Sequence, residues 1–451
     1  MKESSIPNEK PSKKKKSSVR HTRAIQRDRS KRQVSAPPDE QIAARLTEII
    51  HPATLAQVSH YHQLGLRERV LTLPVMVGLV ISMIWRQMSG VSDLVRVIHN
   101  EVVLWVPPMK ISQQAFSERL GSLPATLFYQ VLMTVLPELA QGWQARERPL
   151  PPEIAWAQAH YTQIACCDGS TLDALIRKIG LLQDALVHPL AGKMTALLDL
   201  GSRLPLSLWY ETDAKISDQG FWERILEALK AGSLLIFDLG YTNFDIFVRL
   251  GQAQVTFITR AKKNLRYTVV EVLHSGAAVR DERVWIGKHD QQQQVRLVQV
   301  LYRGTWYRYL TNELDPAKLP AAMLVDLYRR RWHIEDAYNI VKRLLGLAYF
   351  WSGGHNAIQM QLWATWLLYA VLVDLTDQVA QALRKPFADI SMEMVYRSLY
   401  YFTQAYHRGD TTPVVAYLVQ HAKLFGIIKR KRSQSRASPL QSPPLTNPGA
   451  P

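Results

Sequence analysis

The sequence predicts an α/β fold with a mixed sheet, a helical N-terminal region and a β-rich insertion before the last core helix. Three observations carry this. From 155 to 261, short apolar runs alternate with helical patterns, the order of an α/β sheet. From 262 to 319, β-type runs follow one another with no convincing helix between them. From 320 to 350, one long helical pattern returns.

Taken in order, residues 1–40 are rich in Lys, Arg, Ser and Pro, and are expected to be a disordered basic tail. Residues 41–148 read as a helical domain that could bind DNA, with Ser112 as an N-cap and a possible helix-turn-helix from Ser89 to Leu120. The apolar run Val70–Trp85, containing Pro74 and followed by Arg86, falls short of the roughly 20 residues that span a bilayer and reads as a buried helix. A Pro-rich linker at 146–152 follows. Strands are expected at 161–167, 194–198, from about 204 to Tyr210, 233–237 and 255–259, with helices at Ser217–Lys230 and Asn243–Leu250. The insertion, 262–319, carries strands at Arg283–Ile286, Val295–Tyr302 and Trp306–Leu310. Pro320–Leu347 is predicted as one long helix, 351–428 as a C-terminal helical region, and 429–451 as a second disordered basic tail.

An apolar fraction of 47% and a charged fraction of 21% are ordinary for a globular chain, so the formal charge of +17 matters for where it lies. Residues 1–36 hold +9 and residues 429–451 hold +5, leaving the middle close to neutral. Basic tails fit either a polyanionic partner or simple solvation. The two cysteines, Cys166 and Cys167, are adjacent, which makes a poor disulfide frame and suits a reducing cytoplasm. No Cys/His spacing suits structural zinc, and the start, Met-Lys-Glu-Ser, has no apolar signal core.

The chemistry is expected from three carboxylates. Asp168 and Asp238 each end a buried apolar run, where Asp is a poor strand residue. Ligand sites of open α/β sheets lie at strand carboxyl ends, so neighbouring strands would make these carboxylates converge on hard cations. The ordinary alternative for each is a turn or helix cap, and for Asp199, in an apparent hairpin turn, the cap is the preferred reading. In the long helix, Tyr328, Arg331, Glu335 and Lys342 fall within roughly 60° at about 100° per residue. Glu335 would be the third metal-binding carboxylate, Arg331 and Lys342 would hold phosphates, and Tyr328 would donate a hydrogen bond. The alternative is a surface ladder in which Arg331 and Glu335 simply pair at i,i+4.

These residues resemble the insertion-sequence-four family of bacterial transposases, marked by Tyr-x2-Arg-x3-Glu-x6-Lys. All four positions match at Tyr328, Arg331, Glu335 and Lys342, while Asp168-Gly169-Ser170-Thr171 and Asp238-Leu239-Gly240-Tyr241 resemble the family's two aspartate motifs. The resemblance covers about 161–347 and implies a ribonuclease-H-like core. It also implies catalysis by Asp168, Asp238 and Glu335 with two Mg²⁺ ions, for which Mn²⁺ could substitute. The partners it implies are terminal inverted repeats and target DNA, met by a homodimer on nucleoid DNA in the bacterial cytoplasm, without a membrane. Cut-and-paste transposition through a hairpin needs an unstacked base, which an aromatic can stabilise by stacking. Trp332, Trp285 and Trp306 are candidates, with core packing as the alternative.

Two other readings compete: a ribonuclease-H-like nuclease that cuts without joining, and an inactive transposase-derived DNA-binding regulator. A membrane-surface protein, suggested only by the basic tails, is the third and most remote.

Overall fold

The computed structural model describes residues 40–66, 69–173, 190–288, 292–347 and 350–429. The expected tails lie outside these residues, apart from Glu40 and Lys429.

The fold is mixed α/β. Strands β1 (Gln163–Asp173), β2 (Leu190–Asp199), β3 (Pro205–Glu211), β4 (Ser233–Phe237) and β5 (Thr256–Arg260) precede β6 (Thr268–Ser275), β7 (Val279–Ile286), β8 (Gln293–Tyr302) and β9 (Thr305–Thr311). All nine form one sheet in the order β3-β2-β1-β4-β5-β9-β8-β7-β6. β1, β4 and β5 run parallel. β4, Ser-Leu-Leu-Ile-Phe, lies between two parallel neighbours and is buried throughout, which is why it reads as a continuous apolar run. Alternate residues serve two cores. Cys166, Ala196 and Ile236 face one side, while Cys167, Leu197 and Phe237 face the other with Phe221 and Phe247.

The insertion read at 262–319 does not stand apart from the core sheet. Its last strand, β9, pairs with β5, extending the core sheet through β8 and β7 to β6. β6 escaped the sequence reading because an edge strand has little to bury; Val269, Val270 and Val272 are exposed on it.

Before the sheet come helices α1 (Glu40–Ala56), α2 (Val58–Gln63), α3 (Leu73–Trp85), α4 (Val91–Asn100), α5 (Gln113–Ser122), α6 (Ala125–Ala145) and α7 (Pro152–His160). Between its strands lie α8 (Trp222–Ala228) and α9 (Phe244–Gln252), and directly after its last strand come α10 (Ala321–Arg330) and α11 (Trp332–Asn339). These are followed by α12 (His355–Ala382), α13 (Met392–His407) and α14 (Val414–Gln420). Pro74 sits in the first turn of α3, where it needs no N–H partner, so it starts this buried helix and does not interrupt it. Ser112 caps α5, accepting from the Ala115 N–H at 3.0 Å. Residues 101–112 separate α4 from α5 and include a Val103–Val106 bridge, far longer than the 3–4-residue turn of a helix-turn-helix. That expectation is not met. The two expected helical regions, 41–148 and 351–428, pack together, because α12 lies against α6, α3 and α5 as well as α13 and α14. α12 is long and apolar enough to cross a membrane, but nearly all of it is buried inside this body.

A charged knot ties the body together. On α12, Asp377 is fully buried and pairs with Arg146 and Arg148, while Asp374 pairs with Arg146 and with Arg45 of α1. Removing one member leaves buried charge without its partner, which costs about 3–5 kcal/mol. Asp377→Ala is therefore expected to lower the urea-unfolding free energy by that amount; a loss below about 1 kcal/mol, the scale of an exposed pair, would contradict the knot.

Candidate active site

β1 and β4 pair in parallel with Cys167 opposite Phe237 as their last partners. Asp168 and Asp238 come next on each strand, so they are neighbours, on the face that Cys166 and Ile236 share. The sequence reading ended both strands at these residues. That holds for β4, whereas β1 runs on to Asp173 against β2; what ends at Cys167 is its pairing with β4. Both carboxylates also bond their own turns: Asp168 Oδ1 accepts from the Gly169 N–H at 2.9 Å, and Asp238 Oδ1 accepts from the Gly240 N–H. The capping alternative is thus present, and it leaves Asp168 Oδ2 for another partner. Asp199 accepts from the Ser202 N–H at 2.6 Å and hydroxyl at 2.7 Å, the turn-capping role read for it.

The expected long helix is interrupted. α10 ends at Arg330, Arg331 makes a one-residue break with right-handed helical dihedrals, α11 follows, and Ile340–Leu344 form a π turn. The π turn, closed by Leu345 N–H to Ile340 O at 2.9 Å, shifts Lys342 from its 100°-per-residue position. The face still gathers its members, but against the protein. Arg331, only 8% exposed at its side chain, bridges Asp168 Oδ2 at 3.0 Å and Glu335 Oε1 at 3.1 Å. A surface ladder does not describe this arrangement. Tyr328 is buried and packs its ring on Tyr309, and its backbone carbonyl accepts from the Arg331 N–H at 3.1 Å. Lys342 donates to Ser170 Oγ at 2.7 Å and also reaches the Thr171 carbonyl. The sequence reading missed Tyr338, whose hydroxyl donates to the Asp168 carbonyl at 2.6 Å and accepts from the Ala196 N–H at 3.0 Å. Its place three residues after Glu335, one helical turn on, was the available signal.

The aromatic candidates differ in setting. Trp332 is 59% exposed with the Arg331 guanidinium 5.5 Å from its ring, so core packing does not account for it. Trp285 is 39% exposed, and Trp306 is half-buried beneath Arg280. Cys166 and Cys167 are both free thiols, buried on opposite faces and pushed well above the usual thiol range by that burial.

The electrostatics single out Asp168. Burial pushes its carboxyl up to about 6, with Asp238 and Glu335 adding to the rise while Arg331 and the Gly169 N–H oppose it. Among the described residues, no three His, Cys, Asp or Glu side chains already stand in a metal-holding arrangement. The donor chemistry nonetheless suits a hard divalent cation: oxygen ligands, excess negative charge, and a cationic guanidinium already between two of the carboxylates. A carboxyl raised in the folded state favours folding below its unfolded value near 4, and that contribution is lost as pH rises through about 6. At about 1.4 kcal/mol per unit, ionised Asp168 costs roughly 3 kcal/mol at pH 7. Asp168→Asn is therefore expected to raise the thermal midpoint at pH 7 and leave it unchanged at pH 4. Equal shifts at both pH values would contradict the raised carboxyl.

Residues 188–371 match the family described as Transposase DDE domain, a span that includes Asp238, Arg331, Glu335 and Lys342 and begins after Asp168. The chain is 29% identical over 191 residues to the putative transposase y4zB of Sinorhizobium fredii, covering 40% of this chain and 52% of that one. It is 22% identical over 204 residues to the probable transposase for insertion sequence element IS5377 of Geobacillus stearothermophilus, covering 44% and 52%. The chain thus spans about half the length of the curated relatives it matches. A piggyBac transposase synaptic complex with hairpin DNA aligns over 89% of this chain and 86% of its own, at 12% identity and a TM-score of 0.40. Over part of its length the chain is thus similar to DDE transposases.

Proposed function

We propose that the chain is a DNA transposase of the insertion-sequence-four kind, with a ribonuclease-H-like core, that cleaves element ends and joins them to target DNA. The supporting observation is the convergence of Asp168 and Asp238 past the last β1–β4 pair, with Arg331 tying Asp168 to Glu335 from the facing helix. Asp168, Asp238 and Glu335 would hold two Mg²⁺, or Mn²⁺. Bound there, the metals supply activation of a water or 3′-hydroxyl and stabilise the leaving oxygen of a phosphodiester.

The remaining residues bind and orient. Arg331 presents a planar fork that can grip two oxygens of a DNA-end phosphate, and Lys342 provides a point charge further along the same face. Tyr328, buried one turn before Arg331 with its ring against Tyr309, would add a phenol beside the guanidinium. Trp332, exposed beside Arg331, offers a stacking surface to a base unpaired during hairpin formation. The basic tails add sequence-independent attraction to DNA, which weakens as salt rises. The assembly proposed is a homodimer on paired element ends, acting on nucleoid DNA.

The test is a strand-transfer assay on inverted repeats sought in the DNA flanking the gene, with Mg²⁺ and labelled ends. Hairpin and joined products support the reading. Cleavage without joining selects the nuclease, and end binding without cleavage selects the DNA-binding regulator.

A further inference from the structure

Asp218 lies outside every motif of the sequence, yet its carboxylate sits between the two aspartate turns. It opens a 3-10 turn, Asp218–Phe221, that leads into α8. Its Oδ1 pairs with Lys193 Nζ at 2.6 Å, and the buried Lys193 of β2 also donates to the Ile216 carbonyl at 2.8 Å. A Cβ added at Gly169 would stand 2.5 Å from Asp218 Oδ1. One added at Gly240 would stand 3.0 Å from Asp218 Oδ2 and 3.2 Å from Asp238 Oδ1. The same carboxylate therefore lies against the residue after Asp168 and the residue two after Asp238. A side chain at Gly169 would push Asp218 aside, and one at Gly240 would fit only if Asp218 gave way by a few tenths of an ångström.

The residues after Asp218 bind the second turn directly. Gln219 Nε2 donates to the Gly240 carbonyl at 2.6 Å, and Trp222 Nε1 donates to the Tyr241 carbonyl at 3.1 Å. Residues 218, 219 and 222 thus all engage the stretch Asp238–Tyr241, with Lys193 anchoring them to β2.

We propose that Lys193, Asp218, Gln219 and Trp222 form a brace that positions the Asp238 turn against Asp168 and so sets the separation of the two carboxylates. Its purpose rests on the proposed function; its geometry does not. Ligand groups must be held within about 0.5 Å of their working geometry, and groups that orient a ligand typically change metal affinity by about 10–100-fold. Asp218 acts through the turn and is a positioning residue.

The experiment compares the full chain with Asp218→Ala, Asp218→Asn and Lys193→Arg. It reads the thermal midpoint, amide hydrogen exchange at Leu239–Thr242, and binding of Mn²⁺ alone by electron paramagnetic resonance. Asp218→Ala should keep the overall fold, exchange the turn amides about tenfold faster, and weaken Mn²⁺ binding about 10–100-fold. Lys193→Arg keeps the ion pair and should stay close to wild type. Asp218→Asn can still accept from Lys193 but leaves it without a counter-charge, so its thermal midpoint should fall while its turn exchange and Mn²⁺ binding change less than those of Asp218→Ala. If Asp218→Ala does not fold, Gln219→Ala takes its place, with the same two changes expected. Unchanged turn exchange overturns the brace, and faster exchange with unchanged Mn²⁺ affinity overturns its positioning role. A wild-type chain that takes up no Mn²⁺ counts against the metal-binding reading, and the turn exchange then decides on the brace alone.

Discussion

Asp238→Ala and Asp238→Asn should both abolish cleavage of element ends, and the pair separates the two roles this carboxylate plays. Asp238 accepts from the Gly240 N–H, so part of its worth is a turn cap. Losing a cap costs about 1 kcal/mol of stability and does not by itself stop chemistry. Asn can still accept that bond but supplies no anionic oxygen to a cation. If Asp238 is a metal ligand, both variants lose several kcal/mol of transition-state stabilisation, which is on the order of 10³-fold or more in rate. Asp238→Asn would then stay folded and bind DNA ends normally while failing to cut. Its neighbour across the β1–β4 ladder, Asp168, should behave alike. An Asp238→Asn enzyme that cuts at the wild-type rate would reduce the residue to a cap. The measurements are single-turnover cleavage, end binding and thermal midpoint on the same preparations.

Arg331 carries the second large effect, and the structure changes the terms of its test. An exposed i,i+4 pair contributes only a few tenths of a kcal/mol, so on spacing alone Arg331→Ala would barely alter stability. Arg331 is instead buried and holds two carboxylates, one of them Asp168. Its removal leaves Asp168 without that counter-charge, so Arg331→Ala should both destabilise the protein and raise the Asp168 carboxyl further. Loss of activity in Arg331→Ala therefore cannot separate bracing from phosphate binding. Arg331→Lys can. Lys keeps the positive charge and so most of the stability, but it cannot grip two phosphate oxygens with a planar fork. If Arg331 holds a DNA-end phosphate, Arg331→Lys should melt near the wild-type temperature yet form hairpins about 30–150-fold more slowly. That range corresponds to roughly 2–3 kcal/mol for a charge-assisted contact. A Lys variant with normal hairpin kinetics would leave Arg331 a structural bridge.

Much of the proposed site was legible before the fold. Apolar runs interrupted by Asp mark positions where burial and charge conflict, and Asp168 and Asp238 are such positions. Helical periodicity put Tyr328, Arg331, Glu335 and Lys342 on one face, a local property that survives the break at Arg331 because that residue keeps helical dihedrals. The break itself and the π turn were not legible. Arg331 and Lys342 are good helix formers, and nothing in the local pattern opposes a straight helix. The exposure of Trp332 was equally hidden, since an aromatic near an apolar stripe reads as core until its neighbours are known.

The sequence by itself determined which residues share a face and which runs must be buried, because side-chain period follows from backbone geometry within a few residues. Only the tertiary structure decided what each face meets. It turned Arg331 and Lys342 of the Tyr-Arg-Glu-Lys face onto β1, which buried Arg331 between two carboxylates and gave Lys342 partners on Ser170 and Thr171. It carried the insertion into the core sheet through β9, although β9 follows β5 only after three intervening strands. It also brought Asp218 against Gly169 and Gly240, residues distant from it in the chain. An Asp at the start of a short helical turn reads locally as a cap; its approach to two separate glycines depends on how β1, β2 and β4 lie side by side. Such contacts are fixed by packing across the sheet, and no local period in the chain records them.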